Sequence, residues 1–197
     1  PPIPFEHRAR SPSPPSPLLR AQNAASSKVL TSDLLAIMQK QRTEARPDFT
    51  ADAIDDDIYH WQIRLQRFDA GSLLAEDLRA LERRYGYSHI ELEINFTIDL
   101  YPFFPPLVKV VRPRFGGFMM GRIASLECLK LSHWDPVRGV QAVVGSIREM
   151  LERWGRLDLE SPRNDRGLHP EGAYTDLEHL RMRLGLLTEM APRANDK

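Results

Sequence analysis

Residues 101–110 read Tyr-Pro-Phe-Phe-Pro-Pro-Leu-Val-Lys-Val, and this stretch separates two segments that have the pattern of β-strands. Its prolines lack a backbone N–H and cannot continue a helix, so residues 101–106 predict a rigid connection. Residues 107–111 follow as a short apolar run, which predicts a strand. The connection therefore joins this strand to a sheet that begins upstream.

Two upstream segments alternate apolar and polar side chains with a period of two, which is typical of half-buried strands. The first runs from Tyr59 to Gln66. The second places five apolar side chains on one face: Ile90, Leu92, Ile94, Phe96 and Ile98. The acidic residues before them, Asp52 and 55–57, are interpreted as a solvated loop. The strands together predict an antiparallel meander.

Apolar residues recur at helical spacing in four places. We expect the first helix to follow Thr31 or Ser32, since either residue can cap it, and to end by Pro47. Three further helices are expected, over residues 72–84, 140–153 and 173–188. Residues 116–134 are interpreted as irregular. The predicted class is α+β, with helices packed on one open sheet.

Composition excludes several classes of protein. The 197 residues are 42% hydrophobic and 27% charged with a formal net charge of zero, which argues against a dedicated binder of nucleic acid or acidic membranes. No apolar run approaches the ~20 residues that a membrane helix needs. The six histidines never pair at positions i and i+4, so we expect neither a metal site nor a cofactor.

Cys128 is the single cysteine of the chain. An internal disulfide and a zinc site with several thiolates are therefore excluded. A free thiol fits a reducing compartment, and we expect the protein to be cytoplasmic and/or nuclear.

Residues 1–25 hold seven of the sixteen prolines together with several serines, a composition that predicts a disordered linker. A Pro-x-x-Pro ligand motif within residues 12–17 is the alternative. We expect one folded domain over residues 26–191 and a tail over 192–197. Because the chain opens Pro-Pro-Ile-Pro without a methionine, we also expect it to be a piece of a longer protein.

Three motifs in order carry a family resemblance: Tyr-Pro-Phe-x-Pro-Pro at 101–106, Ser-Leu-Glu-Cys-Leu at 125–129 and Trp-Asp-Pro at 134–136. Followed by an amphipathic helix, they resemble the ubiquitin-conjugating (E2) family, most of all its Q class, over residues 28–190. The resemblance implies a UBC-like fold, in which a meander of about four strands carries an N-terminal helix, a crossover helix and a C-terminal helix. It also implies three partners: ubiquitin, the activating enzyme (E1) and a ligase (E3).

The family's nucleophile is a cysteine, but counting back nine residues from Trp134 places Ser125 at that position. Cys128 then occupies an apolar slot whose side chain points inward, while a locally shifted register would make Cys128 the nucleophile. The distinction matters because a thiol with a pKa of ~8.5 forms thioesters readily. A serine hydroxyl needs a general base, and His133 is the nearest histidine in sequence. Natural loss of activity, an engineered Cys-to-Ser change and an alignment slip all remain open.

Further positions follow from the resemblance. Phe103 matches the aromatic contact for ligases, or else it is a stiff edge of the core, and Pro136 with Val137 matches the second contact loop. Asp158 lies near an acidic residue that helps to deprotonate the incoming lysine.

The family's usual His-Pro-Asn triplet is absent from residues 115–121, as it is in the Q class. Any activity would therefore rely on backbone donors near residues 121–125.

Three functions are consistent with these features. The first is acyl transfer of ubiquitin to lysine through a thioester or oxyester. The second is an inactive E2 variant that serves as a scaffold for ubiquitin or a ligase. The third is an unrelated α+β adaptor, which requires the proline connection and the Trp134 segment to lie far apart.

Overall fold

The computed structural model describes residues 17–190, with side chains described from 24 to 184. Expectations for residues 1–16, including most of the linker and its Pro-x-x-Pro motif, and for the tail at 192–197 concern residues outside this range. Within it, the elements in chain order are α1 Pro17–Thr43, β1 Phe49–Ile54, β2 Asp57–Leu65, α2 Leu73–Tyr85, β3 Ile90–Asn95, β4 Leu107–Arg112, α3 Met119–Ala124, α4 Gly139–Trp154 and α5 Asp176–Met190.

The four strands pair in the order β1-β2-β3-β4, and each pair is antiparallel. Alternation puts one face of the sheet in the core, where six side chains are fully buried: Trp61, Ile63, Leu65, Ile90, Leu92 and Ile94. Each contributes about 1.5–3 kcal/mol of hydrophobic free energy. Helices α1, α2 and α4 supply the other half of the same core, so the predicted α+β class is confirmed.

Helix α1 begins earlier than predicted. It starts at Pro17, so the prediction that Thr31 or Ser32 caps it is wrong, and residues 17–25 are helical instead of linker. Proline suits the first turn of a helix, and nothing between it and residue 30 breaks the helical backbone. The extra turns have a structural role, because the buried Ser26 hydroxyl donates to the carbonyl of Tyr101 at 2.6 Å.

The acidic segment is a β-hairpin, not a solvated loop. Asp52 lies in β1, and Asp55 and Asp56 form the tight turn with φ of 53° and 59°. Two-residue hairpin turns need positive φ, which Asp tolerates better than most residues. The predicted end of the next strand is also wrong, since β3 ends at Asn95 and Ile98 is exposed.

Helices α3 and α5 depart from the sequence interpretation in other ways. Residues 119–124 form a short helix inside the segment expected to be irregular. In α5, Leu177 and Leu180 face solvent, and the helix is held instead by polar contacts. The buried Arg114 guanidinium donates to Glu178 at 2.7 Å, and His179 Nε2 donates to the carbonyl of Val110 at 2.9 Å.

Glu178 gives the attachment of α5 a pH dependence. Burial raises the pKa of its carboxyl, but hydrogen bonds from Thr175 and Arg114 outweigh burial and lower the pKa from 4.5 to about 2. Ionised Glu178 therefore stabilises the fold above pH 4.5, and this contribution is lost as the pH falls from 4.5 towards 2. Glu178→Gln should lower the free energy of unfolding by about 1–3 kcal/mol near neutral pH, because Arg114 loses its charged partner.

Urea unfolding of the two proteins from about pH 7 to about pH 3 measures this effect, and the difference between them should shrink in acid. Glu171→Gln is the control, because Glu171 is exposed on the surface and pairs only with the exposed Arg166 and His169. A difference between Glu178→Gln and the unmodified protein that stayed constant with pH would contradict the role of the Glu178 charge.

Candidate functional site

A chain of aromatic rings leads from the sheet core to the proline connection. Trp61 packs edge-on against Phe96 at 5.1 Å between ring centroids, and Phe96 packs in the same way against Tyr101 at 4.9 Å. The Tyr101 ring in turn lies 6.3 Å from that of Trp134. Such edge-to-face pairs add to the stability gained by burial. The connection is therefore anchored to the core at its first residue.

The indole of Trp134 joins the connection to the later segment. Its Nε1–H donates to the carbonyl of Pro102 at 2.7 Å. The indole is partly buried, so breaking this bond would leave a donor and an acceptor with poor access to water. The two segments are 32 residues apart in sequence and are in direct contact in space. The unrelated-adaptor hypothesis required them to lie far apart, and it is therefore wrong.

This junction brings the predicted partner-contact residues to one end of the molecule. Phe103 directly follows Pro102 and is 60% exposed, while Val137 lies three residues after Trp134 and is 91% exposed. Pro136 is also exposed. Large apolar side chains held in solvent on rigid loops are typical of a docking surface. The alternative that Phe103 is a stiff edge of the core does not fit its exposure.

Ser125 ends helix α3 and is exposed. It lines an apolar groove along the start of β4 together with nine other residues: Thr97, Pro105, Pro106, Leu107, Val108, Ala124, Leu129, Lys130 and Arg183. Sequence reasoning did not find Arg183, because it comes from α5, 58 positions further along the chain. Position 125 is therefore open to solvent through this groove.

The Ser125 hydroxyl is bound as a donor. Its single hydroxyl proton is shared between the carbonyl of Gly121, 2.9 Å from Oγ, and that of Arg122, at 3.2 Å. These carbonyls belong to the C-terminal turn of α3, where the partial charge of the helix is negative. An alkoxide at this position would lose both hydrogen bonds and face that negative charge. The local geometry therefore favours the neutral hydroxyl.

His133 does not act on Ser125 in this arrangement. Its Nδ1 lies 2.9 Å from Ser132 Oγ and 3.1 Å from Glu127 Oε2, and no hydrogen bond within the described chain joins it to Ser125. The expected backbone donors are also partly used, since the N–H groups of Arg122 and Ser125 bond to carbonyls at the ends of the same short helix. Neither His133 nor these two amides therefore serve the position.

Cys128 lies on a different side of the same segment. It is half-buried in a shallow pocket against α4, next to Ser146, Met150 and Trp154. Burial raises the pKa of its thiol above the ordinary value, so the thiolate needed for nucleophilic attack is disfavoured. Cys128 was predicted to occupy an apolar slot with its side chain pointing inward, and that side chain is only half-buried. Ser125 and Cys128 line separate cavities.

Asp158 is exposed in the loop after α4. Its backbone N–H donates to the carbonyl of Arg114 at 2.9 Å, and its own carbonyl accepts from Asn164 Nδ2 at 2.7 Å. These contacts fasten the loop beside the segment that follows β4. A role for the Asp158 carboxylate in deprotonating lysine stays a prediction.

Among residues 24–184, whose side chains the structure describes, no cluster of three or more His, Cys, Asp or Glu residues is placed to hold a metal ion. Over the same residues, no helix is both long enough and apolar enough to cross a membrane.

No protein-family model matches the chain, but several known proteins are similar to it in sequence. Human ubiquitin-conjugating enzyme E2 Q1 is 31% identical over 106 residues, which are 53% of this chain and 25% of that protein. A Q-like ubiquitin-conjugating protein of Drosophila melanogaster is 32% identical over 110 residues, or 54% of this chain and 34% of its own length. The chain is related to the Q class of ubiquitin-conjugating enzymes.

Two other similar proteins are named as ubiquitin-conjugating enzymes without the Q designation. A probable ubiquitin-conjugating enzyme E2 of Acanthamoeba polyphaga mimivirus is 28% identical over 119 residues, which are 59% of this chain and 8% of that protein. Among solved structures, human ubiquitin-conjugating enzyme E2 G1 aligns with 64% of this chain and 93% of its own at a TM-score of 0.45 and 19% identity. The chain thus matches about a third or less of the length of the human, Drosophila and mimivirus relatives found by sequence.

The junction between the two contact loops can be tested by Trp134→Phe. The change keeps an aromatic ring but removes the only N–H of the side chain, which leaves the Pro102 carbonyl without its donor. We expect the free energy of unfolding to fall by about 1–2 kcal/mol. Amide hydrogen exchange should become faster at residues 103 and 104 and at residues 135, 137 and 138.

Trp154→Phe is the matched control, because Trp154 is 55% exposed. It should change stability by less than about 0.5 kcal/mol and leave exchange in both loops unaltered. Equal effects of the two substitutions would show that the Trp134 indole does not hold the loops together.

Proposed function

We propose that this E2-type chain acts in ubiquitin transfer as a binding variant, which engages a ligase through its two contact loops without carrying ubiquitin on a thioester. The observation that carries the proposal is the contrast between two places in the molecule. The loop residues Phe103, Pro136 and Val137 are exposed and held together, whereas the nucleophile position holds a hydroxyl that is hydrogen-bonded as a donor.

The binding half of the proposal is supported by the contact surface. Phe103 and Val137 present apolar side chains to solvent on loops joined by the Trp134 indole. A surface already fixed in one conformation loses little entropy on association. Exposed aromatic residues at a rigid site are also the side chains that most often dominate the binding free energy of an interface.

The chemical half is supported by Ser125. A serine hydroxyl has a much higher pKa than a thiol and needs an adjacent base to attack a thioester. The Ser125 hydroxyl is bound to helix carbonyls, which cannot act as that base. His133 is hydrogen-bonded with Ser132 instead of Ser125. Cys128 does not replace it, since burial raises the pKa of that thiol.

A second candidate rests on the exposure of Ser125 in the groove. A hydroxyl that is open to solvent can accept the ubiquitin carboxyl terminus from E1 and hold it as an oxyester. In that case the chain turns over slowly, because an oxyester is a poorer acyl donor to lysine than a thioester. Ubiquitin, E1 and E3 as partners, and a cytoplasmic or nuclear location, belong to the proposal in either form.

Charging by E1, ubiquitin and ATP separates these possibilities on a non-reducing gel. We expect no adduct with the unmodified chain and a thiol-sensitive adduct with Ser125→Cys, because position 125 is exposed and a thiol supplies usable thiolate near neutral pH. Ser125→Ala and Cys128→Ser are the controls, and neither should form an adduct.

Two results would overturn the binding-variant proposal. An alkali-sensitive, thiol-resistant adduct that disappears in Ser125→Ala would show the oxyester. A thiol-sensitive adduct of the unmodified chain that disappears in Cys128→Ser would show that Cys128 is the nucleophile.

Binding is tested separately with a panel of isolated ubiquitin-ligase domains. Phe103→Ala should weaken any measured affinity at least ~10-fold, the loss of an anchor worth about 1.4 kcal/mol or more. Leu73→Ala is the matched control, because Leu73 is 57% exposed at the start of α2 and lies outside the contact loops. Unchanged affinity of Phe103→Ala for every domain that binds would contradict the assignment of this surface.

A further inference from the structure

The polar face of the sheet carries another cavity, separate from the Ser125 groove and the Cys128 pocket. It has a volume of about 530 Å³ and is lined by Gln62, Arg64, His89, Glu91, Arg112 and Leu168. The first five lie on β2, just before or on β3, and at the end of β4. Leu168 comes from the loop before α5 and is exposed at the rim. Neither contact loop reaches this cavity.

Arg112 fixes the wall of the cavity. Its side chain is only 8% exposed, and its Nη1 donates to the carbonyl of Gly167 at 3.2 Å. Gly167 has a φ of 53° and a ψ of −125°, a backbone conformation open to glycine but strained for other residues. The bond therefore holds the loop against the end of β4 and keeps the cavity formed.

The cavity contains more hydrogen-bond donors than acceptors. Glu91 is the single carboxylate of its lining, and its Oε1 already accepts from Gln62 Nε2 at 2.8 Å. Its Oε2 lies 3.5 Å from Arg112 Nε and 3.8 Å from His89 Nε2. Both of these nitrogens are buried and make no hydrogen bond within the described chain. Buried polar atoms of this kind usually have a partner.

Arg64 adds a free positive charge to the same wall. It lies opposite Glu91 in the pairing of β2 with β3, yet its guanidinium takes part in no hydrogen bond or ion pair among the residues the structure describes. The lining therefore contains two guanidinium groups and one carboxylate, which gives these three groups a net charge of one positive. The guanidinium of Arg64 also brings five N–H donors.

We propose that this cavity binds a phosphate group. Arg64 would donate two parallel hydrogen bonds to it, and the positive charge of the Arg112 guanidinium would add to the attraction. Two oxygens of a phosphate match the paired N–H donors of one guanidinium. The volume exceeds the need of a bare phosphate, so a phosphate monoester fits as well as the free ion.

Two-dimensional ¹⁵N NMR of the full chain tests the site, with inorganic phosphate and O-phosphoserine as probes at constant ionic strength. We expect saturable shifts of the Arg64 and Arg112 Nε–H signals and of the amides of residues 62–64 and 89–91. Tighter binding of O-phosphoserine indicates a phosphate carried on a larger group, and equal binding indicates the free ion. Acetate serves as the carboxylate control and should give weaker shifts.

Two variants make the test specific. Arg64→Gln should weaken phosphate binding at least ~10-fold and Arg64→Lys by less, because lysine keeps the charge and loses the paired donors. Neither should alter stability, since Arg64 has no partner to lose. Arg42→Gln on α1, on the other side of the sheet, should bind phosphate normally.

The proposal is overturned if phosphate causes no saturable shift up to about 10 mM, or if Arg64→Gln binds as well as the unmodified chain. Acetate shifts equal to those of phosphate would also overturn it, in favour of a carboxylate site. None of these results depends on whether the chain carries or binds ubiquitin.

Discussion

The hydrogen bond from the Trp134 indole to the carbonyl of Pro102 is the constraint on which the functional end of the molecule depends. The proline connection cannot be held by a regular backbone ladder, because proline lacks an N–H. It is held instead at its first two residues, by the Ser26 hydroxyl on the carbonyl of Tyr101 and by the indole on the carbonyl of Pro102. Side chains from α1 and from the segment before α4 thus replace the missing strand partners.

The bond between Trp134 and Pro102 bears on the contact loops and on Ser125 in different ways. The contact loops gain rigidity directly, since Phe103 follows Pro102 and Val137 lies three residues after Trp134. Ser125 is positioned by α3 instead, and the helix that exposes its side chain also supplies the carbonyls that bind its hydroxyl. The exposure of the contact loops therefore does not depend on the hydrogen bonds of the Ser125 hydroxyl.

The sequence predicted those parts of the fold that depend on regular alternation of side chains. Strands β2 and β3 and helix α4 have strong period-two or helical patterns, and the structure has all three, although β3 ends three residues before the predicted face does. β1 was missed because Asp52 and two alanines weaken its pattern, and the Asp55–Asp56 turn resembles a loop in composition. The start of α1 was placed too late because Thr31 and Ser32 are good caps, although a long helix can also contain them.

The candidate site was predictable only where one segment of the chain carries it. Counting from Trp134 identified Ser125, but not the carbonyls that bind its hydroxyl or the half-burial of Cys128, which depend on packing of α3 and α4. Residues brought together from distant strands gave no signal. Arg64, His89 and Arg112 are up to 48 positions apart, and nothing in their local sequence marks them as neighbours.

Hydrogen exchange at the indole N–H groups tests the central constraint most directly. The chain has three tryptophans, and ¹⁵N spectra give one indole signal for each. Trp61 and Trp134 donate to the carbonyls of Ile58 and Pro102, whereas Trp154 is exposed. The structure predicts slow exchange for Trp61 and Trp134 and fast exchange for Trp154. Exchange of Trp134 as fast as that of Trp154 would contradict the account, because the two contact loops would then not be held together.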